Sequence, residues 1–480
     1  MIQFGTGGWR AIIGEEFTKE NIQRLALALC LKMKAEGVAK EGIVAGYDRR
    51  FLSKEAVMWA CEIFTKQGIR VEFIDRSSPT PLIMFYVMKH KLHYGMMITA
   101  SHNPAIYNGI KVFTYGGRDA DEGQTADIER YLAEAEKLYV CDNTEKGKIP
   151  TTFYMESIKN GMVKIIHPLN EYLDNIISTV DMEAIRNRDL RVAIDPMYGV
   201  SLIALNTVLS EARCTIETIN SQHDTLFGGK MPSPTEDTLR NLQNYVLDRF
   251  CDIGIATDGD ADRLGVIDDQ GKFLHPNDIL VMLYYYLLKY KGIKGPAVRN
   301  ISTTHMLDKV AESFGETCYE VPVGFKHISA KMQETGAVIG GESSGGLTVK
   351  GHIHGKDGIY AATLLVEMIA LSGKQLSEIS EDISKEYGQL HMLERAYQFS
   401  PEEKERIYRM IMVDRMLPEI PFAIEKVTYV DGCKVYLENG GWLSARFSGT
   451  EPLLRIFCEM EQREDAENMC KIWERYLNIQ

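Results

Sequence analysis

Four stretches of this sequence put reactive side chains on short loops. In Thr99-Ala100-Ser101-His102-Asn103-Pro104 a serine stands beside a histidine, directly after the apolar run Gly95-Met96-Met97-Ile98. Small Ala100 allows close approach and Pro104 stiffens the exit, so Ser101 is placed to act as a nucleophile. The same pair also serves as simple loop capping, and the motif is not a G-x-S-x-G elbow. In Asp258-Gly259-Asp260-Ala261-Asp262-Arg263 three carboxylates alternate with small residues. At that spacing they can converge on one hard cation. An EF-hand would need glycine at loop position six and glutamate at twelve, where Arg263 and Asp269 stand. A solvated acidic turn is the plainer alternative. Gly340 to Gly346 surrounds Glu342 and Ser344 with glycines, a pattern suited to sugar hydroxyls or to a plain turn; Gly346 stands where a Walker loop needs lysine. Arg446-Phe447-Ser448-Gly449-Thr450-Glu451-Pro452, with Arg455 beyond, offers guanidinium, hydroxyl and backbone N–H donors to a phosphate, or forms a hairpin turn with an incidental arginine.

These loops need elements to hold them. Lys19 to Glu36 predicts an amphipathic helix, with Ile22, Leu25, Leu29 and Met33 on one stripe and Thr18 as N-cap. Apolar strands are predicted at 42–48, 70–74, 95–99, 190–196, 251–258 and 337–342, and several empty into a polar or small-residue loop. Strands alternating with helices argue for α/β units with mainly parallel sheets. Ligands collect at the carboxyl ends of such strands. Cys141 to Gly161 reads as a link out of a first domain, Asp268 to Lys272 as a turn near the end of a second, and Lys385 to Glu403 as the segment separating a third from a C-terminal region. No residue-level repeat is visible, although three α/β units can share a topology.

The 480-residue chain has 45% hydrophobic and 25% charged residues, ordinary globular composition that excludes disorder and fibrous classes. A net charge of −13 argues against nucleic acid and anionic membranes as partners. The apolar run Ile279 to Leu288 is about ten residues, short of the ~20 a membrane helix needs. The start of the sequence has neither a basic nor an apolar leader region, so a secretory signal is not expected. The nine scattered cysteines contain no C-x-x-C pair and fit reduced thiols in the cytoplasm. Gly5-Thr6-Gly7-Gly8-Trp9-Arg10 lacks the third glycine of a dinucleotide fingerprint, so NAD is not expected. His352 and His354 lack a third metal ligand nearby.

Together these motifs, with Asn108-Gly109-Ile110-Lys111, stand in the order found in the α-D-phosphohexomutases, over residues 5 to about 458. The chain resembles the bacterial phosphoglucomutase/phosphomannomutase group of that family. The resemblance implies three similar α/β domains with mixed, mainly parallel sheets and a smaller α+β domain around a central cleft. The expected ranges are 1–150 for the phosphoserine loop, 165–272 for the metal loop, 273–385 for the sugar loop and 390–480 for the phosphate loop. It implies that Ser101 carries the phosphoryl group, and that Asp258, Asp260 and Asp262 with phosphorylated Ser101 bind one Mg²⁺. Arg10, Lys111 and Arg263 line the reaction centre, with His102 beside Ser101. Glu342 and Ser344 read sugar hydroxyls, while Arg446, Ser448, Gly449 and Thr450 hold the distal phosphate with help from Arg455.

The mannomutase-type loop often ends in Ser-Gly-His, whereas this one ends Ser344-Gly345-Gly346. The stretch His352 to Gly358 resembles glucomutases instead. Lys356 is then a candidate for substrate contact or proton transfer, with His354 as backup, and Lys326 adds a cation to the cleft. The implied activity is interconversion of glucose 1-phosphate and glucose 6-phosphate, with mannose phosphates as further substrates and glucose 1,6-bisphosphate as activator. Thr99 and Gly346 disfavour the glucosamine branch. Phosphomannomutase or phosphoglucosamine mutase specificity, a phosphatase and a sugar-phosphate sensor are the alternatives. A monomer or weak homodimer acting on a small hexose phosphate is expected.

Overall fold

The computed structural model describes residues 2–5, 7–139, 151–447 and 453–479. Three α/β units follow one plan. The first sheet runs in the order Trp9–Ile12, Tyr107–Thr114, Tyr94–Ile98, Ile43–Tyr47, Val71–Ile74 and Val163–Ile166, with Arg118–Asp119 paired to Tyr107–Thr114. The second runs Phe273–Leu274, Leu264–Ile267, Ile253–Thr257, Arg191–Asp195 and Thr215–Thr218. The third runs Cys318–Val321, Ala297–Asn300, Ile339–Gly341 and Leu347–Val349.

In each unit one strand, parallel to its inner neighbour, ends in a functional loop and returns antiparallel. Tyr94–Ile98 returns as Tyr107–Thr114, Ile253–Thr257 as Leu264–Ile267, and Ile339–Gly341 as Leu347–Val349. A short loop can only join antiparallel neighbours, because a parallel connection needs a crossover of a dozen residues or more. The serine, aspartate and glutamate loops therefore occupy equivalent positions. The sheets are parallel at their centres and antiparallel at this edge.

The first unit extends beyond the expected residue 150. Val163–Ile166 pairs in parallel with Val71–Ile74, and Tyr154 packs edge-on against Phe73, which puts helix Thr151–Lys159 on the same body. The segment read as a link is thus partly structural; its residues 141–150 lie outside the described residues. Other expectations hold closely. Helix Lys19–Ala35 starts at Thr18, whose hydroxyl accepts from Asn21 N at 3.3 Å.

One apolar core runs from Val44 in the first unit to Ile383 in the third. Helix Gly358–Ser372 is buried almost all round within it, as a helix apolar on every face must be. Asp357 caps that helix through Ile359 N (2.9 Å) and Tyr360 N (3.0 Å) and accepts from Tyr172 at 2.7 Å. His352 also meets Asp357, at 2.6 Å, so its role is structural. Among the described residues no single helix is long and apolar enough to cross a membrane.

The fourth unit is an antiparallel sheet, His391–Gln398, Leu453–Met460, Trp442–Phe447, Cys433–Leu437 and Ile424–Thr428, covered by helix Arg463–Leu477. It has its own core around Trp473 and Leu454. Polar groups dock it on the third unit: Lys434 Nζ donates to Ile301 O and to Glu320, each at 2.7 Å, and His305 N donates to Glu459 at 2.8 Å.

Candidate active site

Ser101 adopts a left-handed backbone (φ 51°), uncommon for a residue with a side chain. Its N–H donates to Thr99 Oγ1 at 2.8 Å. Buried Arg50 grips the loop from below, donating to the carbonyls of Ser101 (2.6 Å), Asn103 (2.6 Å), Pro104 (2.9 Å) and Tyr107 (3.0 Å). Asp48 stands 3.4 Å from Arg50 Nε and balances its charge. The loop is therefore tied at four carbonyls to one planar donor, the kind of grip only a guanidinium supplies. Arg10 donates to Asn103 Oδ1 on the other side.

The aspartate loop meets this serine backbone to backbone. A Cβ on Gly259 would lie 2.8 Å from Ser101 O, so glycine permits the approach. Ser101 Oγ donates to Asp258 Oδ2 at 2.7 Å. Asp258, Asp260 and Asp262 are all buried and offer ligand oxygens within 4.8 Å of one another. Asp260 Oδ1 and Asp262 Oδ1 are buried with no hydrogen-bond partner. Buried carboxylate oxygens left without donors are costly, and an all-oxygen set of this kind suits Mg²⁺ or Mn²⁺. The residues fit a hard divalent cation.

Charge is arranged unevenly around the triad. Burial, then the charges of Asp260 and Asp262, push Asp258 well above the usual carboxylate range. Burial also opposes the charge of Asp262, but Lys111, Lys356 and Arg263 overcome it and hold its pKa well below normal. Lys111 Nζ lies 2.7 Å from Asp260 and 2.6 Å from Asp262, and Lys356 Nζ lies 3.1 Å from Asp262. Thr80 ties the first unit to the triad through Asp260 Oδ2 (2.6 Å) and Asp260 O (2.9 Å). His102 Nδ1 is 3.3 Å from Ser101 Oγ. Burial, followed by the charges of Arg263 and Arg10, lowers the His102 pKa far below normal, so this imidazole is neutral.

Lys356 reaches the centre across Gly346. A Cβ there would fall 2.2 Å from Lys356 Cδ. The glycine at the position where the mannomutase-type loop has histidine is the gap through which Lys356 passes. His354 does not converge with it; a Cβ on Gly116 would lie 3.9 Å from its ring, and burial together with the charge of Arg118 lowers its pKa.

In the sugar loop, Glu342 Oε1 accepts from Asn300 Nδ2 and Gly324 N, both at 3.1 Å, while Ser344 is exposed. Lys326 is turned to the first unit, 3.0 Å from Glu122, rather than to the triad. Arg446 and Arg455 are direct partners on adjacent strands of the fourth unit. Arg455 pairs with exposed Glu394 at 3.1 Å, and Arg446 with Asp431. Ser448, Gly449 and Thr450 lie outside the described residues.

Family models for phosphoglucomutase/phosphomannomutase match the chain in four pieces: α/β/α domain I over residues 1–139, domain II over 170–271, domain III over 275–387 and the C-terminal domain over 408–472. The chain belongs to the phosphoglucomutase/phosphomannomutase family. It is therefore an α-D-phosphohexomutase-type isomerase, an intramolecular phosphotransferase. A Thermococcus kodakarensis protein named phosphoglucomutase/phosphomannomutase is 30% identical over 470 residues, covering 98% of this chain and 97% of that one. A Sulfurisphaera tokodaii phosphoglucosamine/phosphogalactosamine mutase is 27% identical, covering 97% of each chain. The crystal structure of a "putative phosphomannomutase" from Thermus thermophilus superposes with a TM-score of 0.82 at 28% identity, covering 99% of both chains.

Several groups in this candidate site carry no motif of their own. Arg50 and Thr80 lie far in sequence from the groups they hold, Asp48 acts through Arg50 two residues on, and Asp431 reaches Val323 from another unit. Asp119 is another: burial raises its carboxyl pKa, while Lys356 and Lys111 pull it down. No motif marks it in the sequence; the structure places it on Arg118–Asp119, paired to the strand that carries Lys111.

Proposed function

We propose that this phosphohexomutase interconverts glucose 1-phosphate and glucose 6-phosphate, and the corresponding mannose phosphates, through phosphorylated Ser101 and a hexose 1,6-bisphosphate. The observation that carries this reading is the Ser101 hydroxyl on Asp258, at the mouth of a buried carboxylate triad. A transferable phosphoryl group on Ser101 would there adjoin the cation site, and binding alone requires no such serine.

In the forward step the Ser101 Oγ–P bond breaks as a sugar hydroxyl forms a new O–P bond, and the hydroxyl proton ends on the released Ser101 oxygen. The bisphosphate then turns over, and the reverse transfer restores phosphoserine. Mg²⁺ held by Asp258, Asp260 and Asp262 would neutralise charge on the phosphoryl group and on the departing serine oxygen. Arg10, Arg263 and Lys111 surround the same point with cationic donors. Arg446 binds the phosphate that is not reacting, and Glu342 and Ser344 bind hydroxyls in either orientation.

Lys356 is the proton-transfer candidate the geometry favours over His354, because it reaches Asp262. Gly346→Ala should displace Lys356 and lower kcat about tenfold, with Lys356→Ala lowering it roughly 10²-fold. The double variant should be little worse than Lys356→Ala alone. Additive losses in steady-state kinetics would show that Gly346 does not act through Lys356.

Substrate choice is tested on a panel. The purified protein, with Mg²⁺ and a trace of glucose 1,6-bisphosphate, is compared on glucose, mannose, glucosamine and N-acetylglucosamine 1-phosphates. Gly346 and the glucomutase-like His352 to Gly358 stretch support a glucose preference. Relatives named for glucosamine phosphates are nearly as similar as the one named for glucose and mannose phosphates, so a higher kcat/KM for glucosamine 1-phosphate would move the assignment to the amino sugar.

A further inference from the structure

We propose that Asp431 is a positioning residue that joins the phosphate-binding arginine of the fourth unit to the sugar loop of the third. The proposal rests on the reading of Arg446 and Glu342 given above and adds the residue that couples them.

Asp431 stands in the turn between strands Ile424–Thr428 and Cys433–Leu437. Arg446 Nε donates to both of its oxygens, at 3.0 and 2.9 Å. Its Oδ2 also accepts Val323 N–H, from the third unit, at 2.9 Å. The next residue, Gly324, donates its N–H to Glu342 Oε1 at 3.1 Å. A continuous line of hydrogen bonds thus runs from Arg446 through Asp431 and the Val323-Gly324 turn to Glu342.

Three features argue for function beyond packing. First, Arg446 is gripped at Nε alone, so its two terminal nitrogens have no hydrogen-bond partner among the described residues. That leaves the fork able to take a phosphate bidentately. Second, Arg446 faces Arg455 directly across the sheet. Like charges so placed repel, and Asp431 and Glu394 offset one each. Third, Asp431 is not the sole docking contact of the fourth unit, because Lys434, Tyr436 and Glu459 make separate contacts with Glu320, Ile301 and His305. Asp431 therefore aims Arg446 in addition to its single contact with Val323. Both of its partners are donors, so an amide at this position would turn an N–H toward one of them.

The test compares wild type with Asp431→Asn and Asp431→Glu. Calorimetry gives the affinity for inorganic phosphate and for glucose 6-phosphate, kinetics give KM and kcat, and thermal unfolding reports folding. Asp431→Asn should weaken both ligands roughly tenfold and raise KM more than it lowers kcat. Asp431→Glu should recover part of the loss. In a Glu342→Gln background, the penalty of Asp431→Asn should shrink for glucose 6-phosphate and persist for inorganic phosphate. Unchanged affinities with a lowered unfolding temperature would overturn the proposal, as would a wild type that binds no phosphate. A wild type that binds phosphate but isomerises no hexose phosphate would refute the functional reading, and the phosphate affinities would still decide the role of Asp431.

Discussion

Ser101→Ala should abolish hexose phosphate interconversion, with kcat falling about 10⁴-fold or more. No neighbouring group can take over. Thr99 Oγ1 is committed to Ser101 N–H, and Asn103 is held by Arg10. His102 is neutral and within reach of the serine oxygen, but its position depends on a loop that Arg50 fixes around residue 101. The variant should fold. Alanine loses one hydrogen bond to Asp258, while Asp258 Oδ1 keeps Arg263 N–H at 3.1 Å. Alanine at this left-handed backbone costs about 1–2 kcal/mol at most, a cost serine already bears. Steady-state assays on glucose 1-phosphate check the loss, and thermal unfolding checks the fold. Retention of more than a few per cent of wild-type turnover would rule out a phosphoserine route.

The second large effect is expected at Asp258. Asp258→Asn should remove the stabilisation that Mg²⁺ gives the folded protein and lower kcat by about 10²–10⁴-fold, the range expected when several kcal/mol of charge stabilisation are lost. The same change should spare or raise the stability of the metal-free protein. The reason is crowding of like charge in a buried site. With its folded pKa raised by burial, Asp260 and Asp262, the carboxyl of Asp258 keeps its proton in the native state at pH values where the unfolded chain has lost it. The native state then binds more protons, so this group's contribution to stability falls as pH rises from about 4 through the raised folded pKa. Asparagine carries no such dependence. Melting curves with and without Mg²⁺ at several pH values make the comparison. Undiminished stabilisation of the asparagine variant by Mg²⁺ would place the metal elsewhere.

The loops of the candidate site are legible because each is local. Thr99 to Pro104 and Asp258 to Arg263 pack their reactive groups within six residues, after apolar strands whose pattern is plain. The three-fold use of one strand–loop–strand unit was not legible as a repeat, since only backbone topology is shared and the loop residues differ for each task. Arg50 was missed for a different reason. In Tyr47-Asp48-Arg49-Arg50 it reads as one of two adjacent surface arginines, yet it is buried because the carbonyls of residues 101–107 surround it. Thr80, the first residue of helix Thr80–Lys89, and Asp431, in a turn, act across 180 and 15 residues of chain, respectively, from positions that look ordinary in sequence. The motif around Lys326 predicts a cation in the cleft, but its partner Glu122 comes from another domain and is found only in three dimensions. Gly346 was legible as a departure from one branch, and the structure supplies its physical meaning: it makes room for Lys356.

The central claim is that the phosphoryl group passes through Ser101. Glucose 1-phosphate with an isotopically labelled phosphate is mixed with the enzyme, Mg²⁺ and a trace of glucose 1,6-bisphosphate. The reaction is quenched within single turnovers, and the peptide containing Ser101 is weighed. The label should be found on Ser101, as a phosphoryl mass gain shifted above the ordinary ~80 Da by the isotopic increment, and should exchange at least as fast as glucose 6-phosphate forms. Labelled glucose 6-phosphate accumulating at full rate with no label on Ser101 would rule out transfer through this serine.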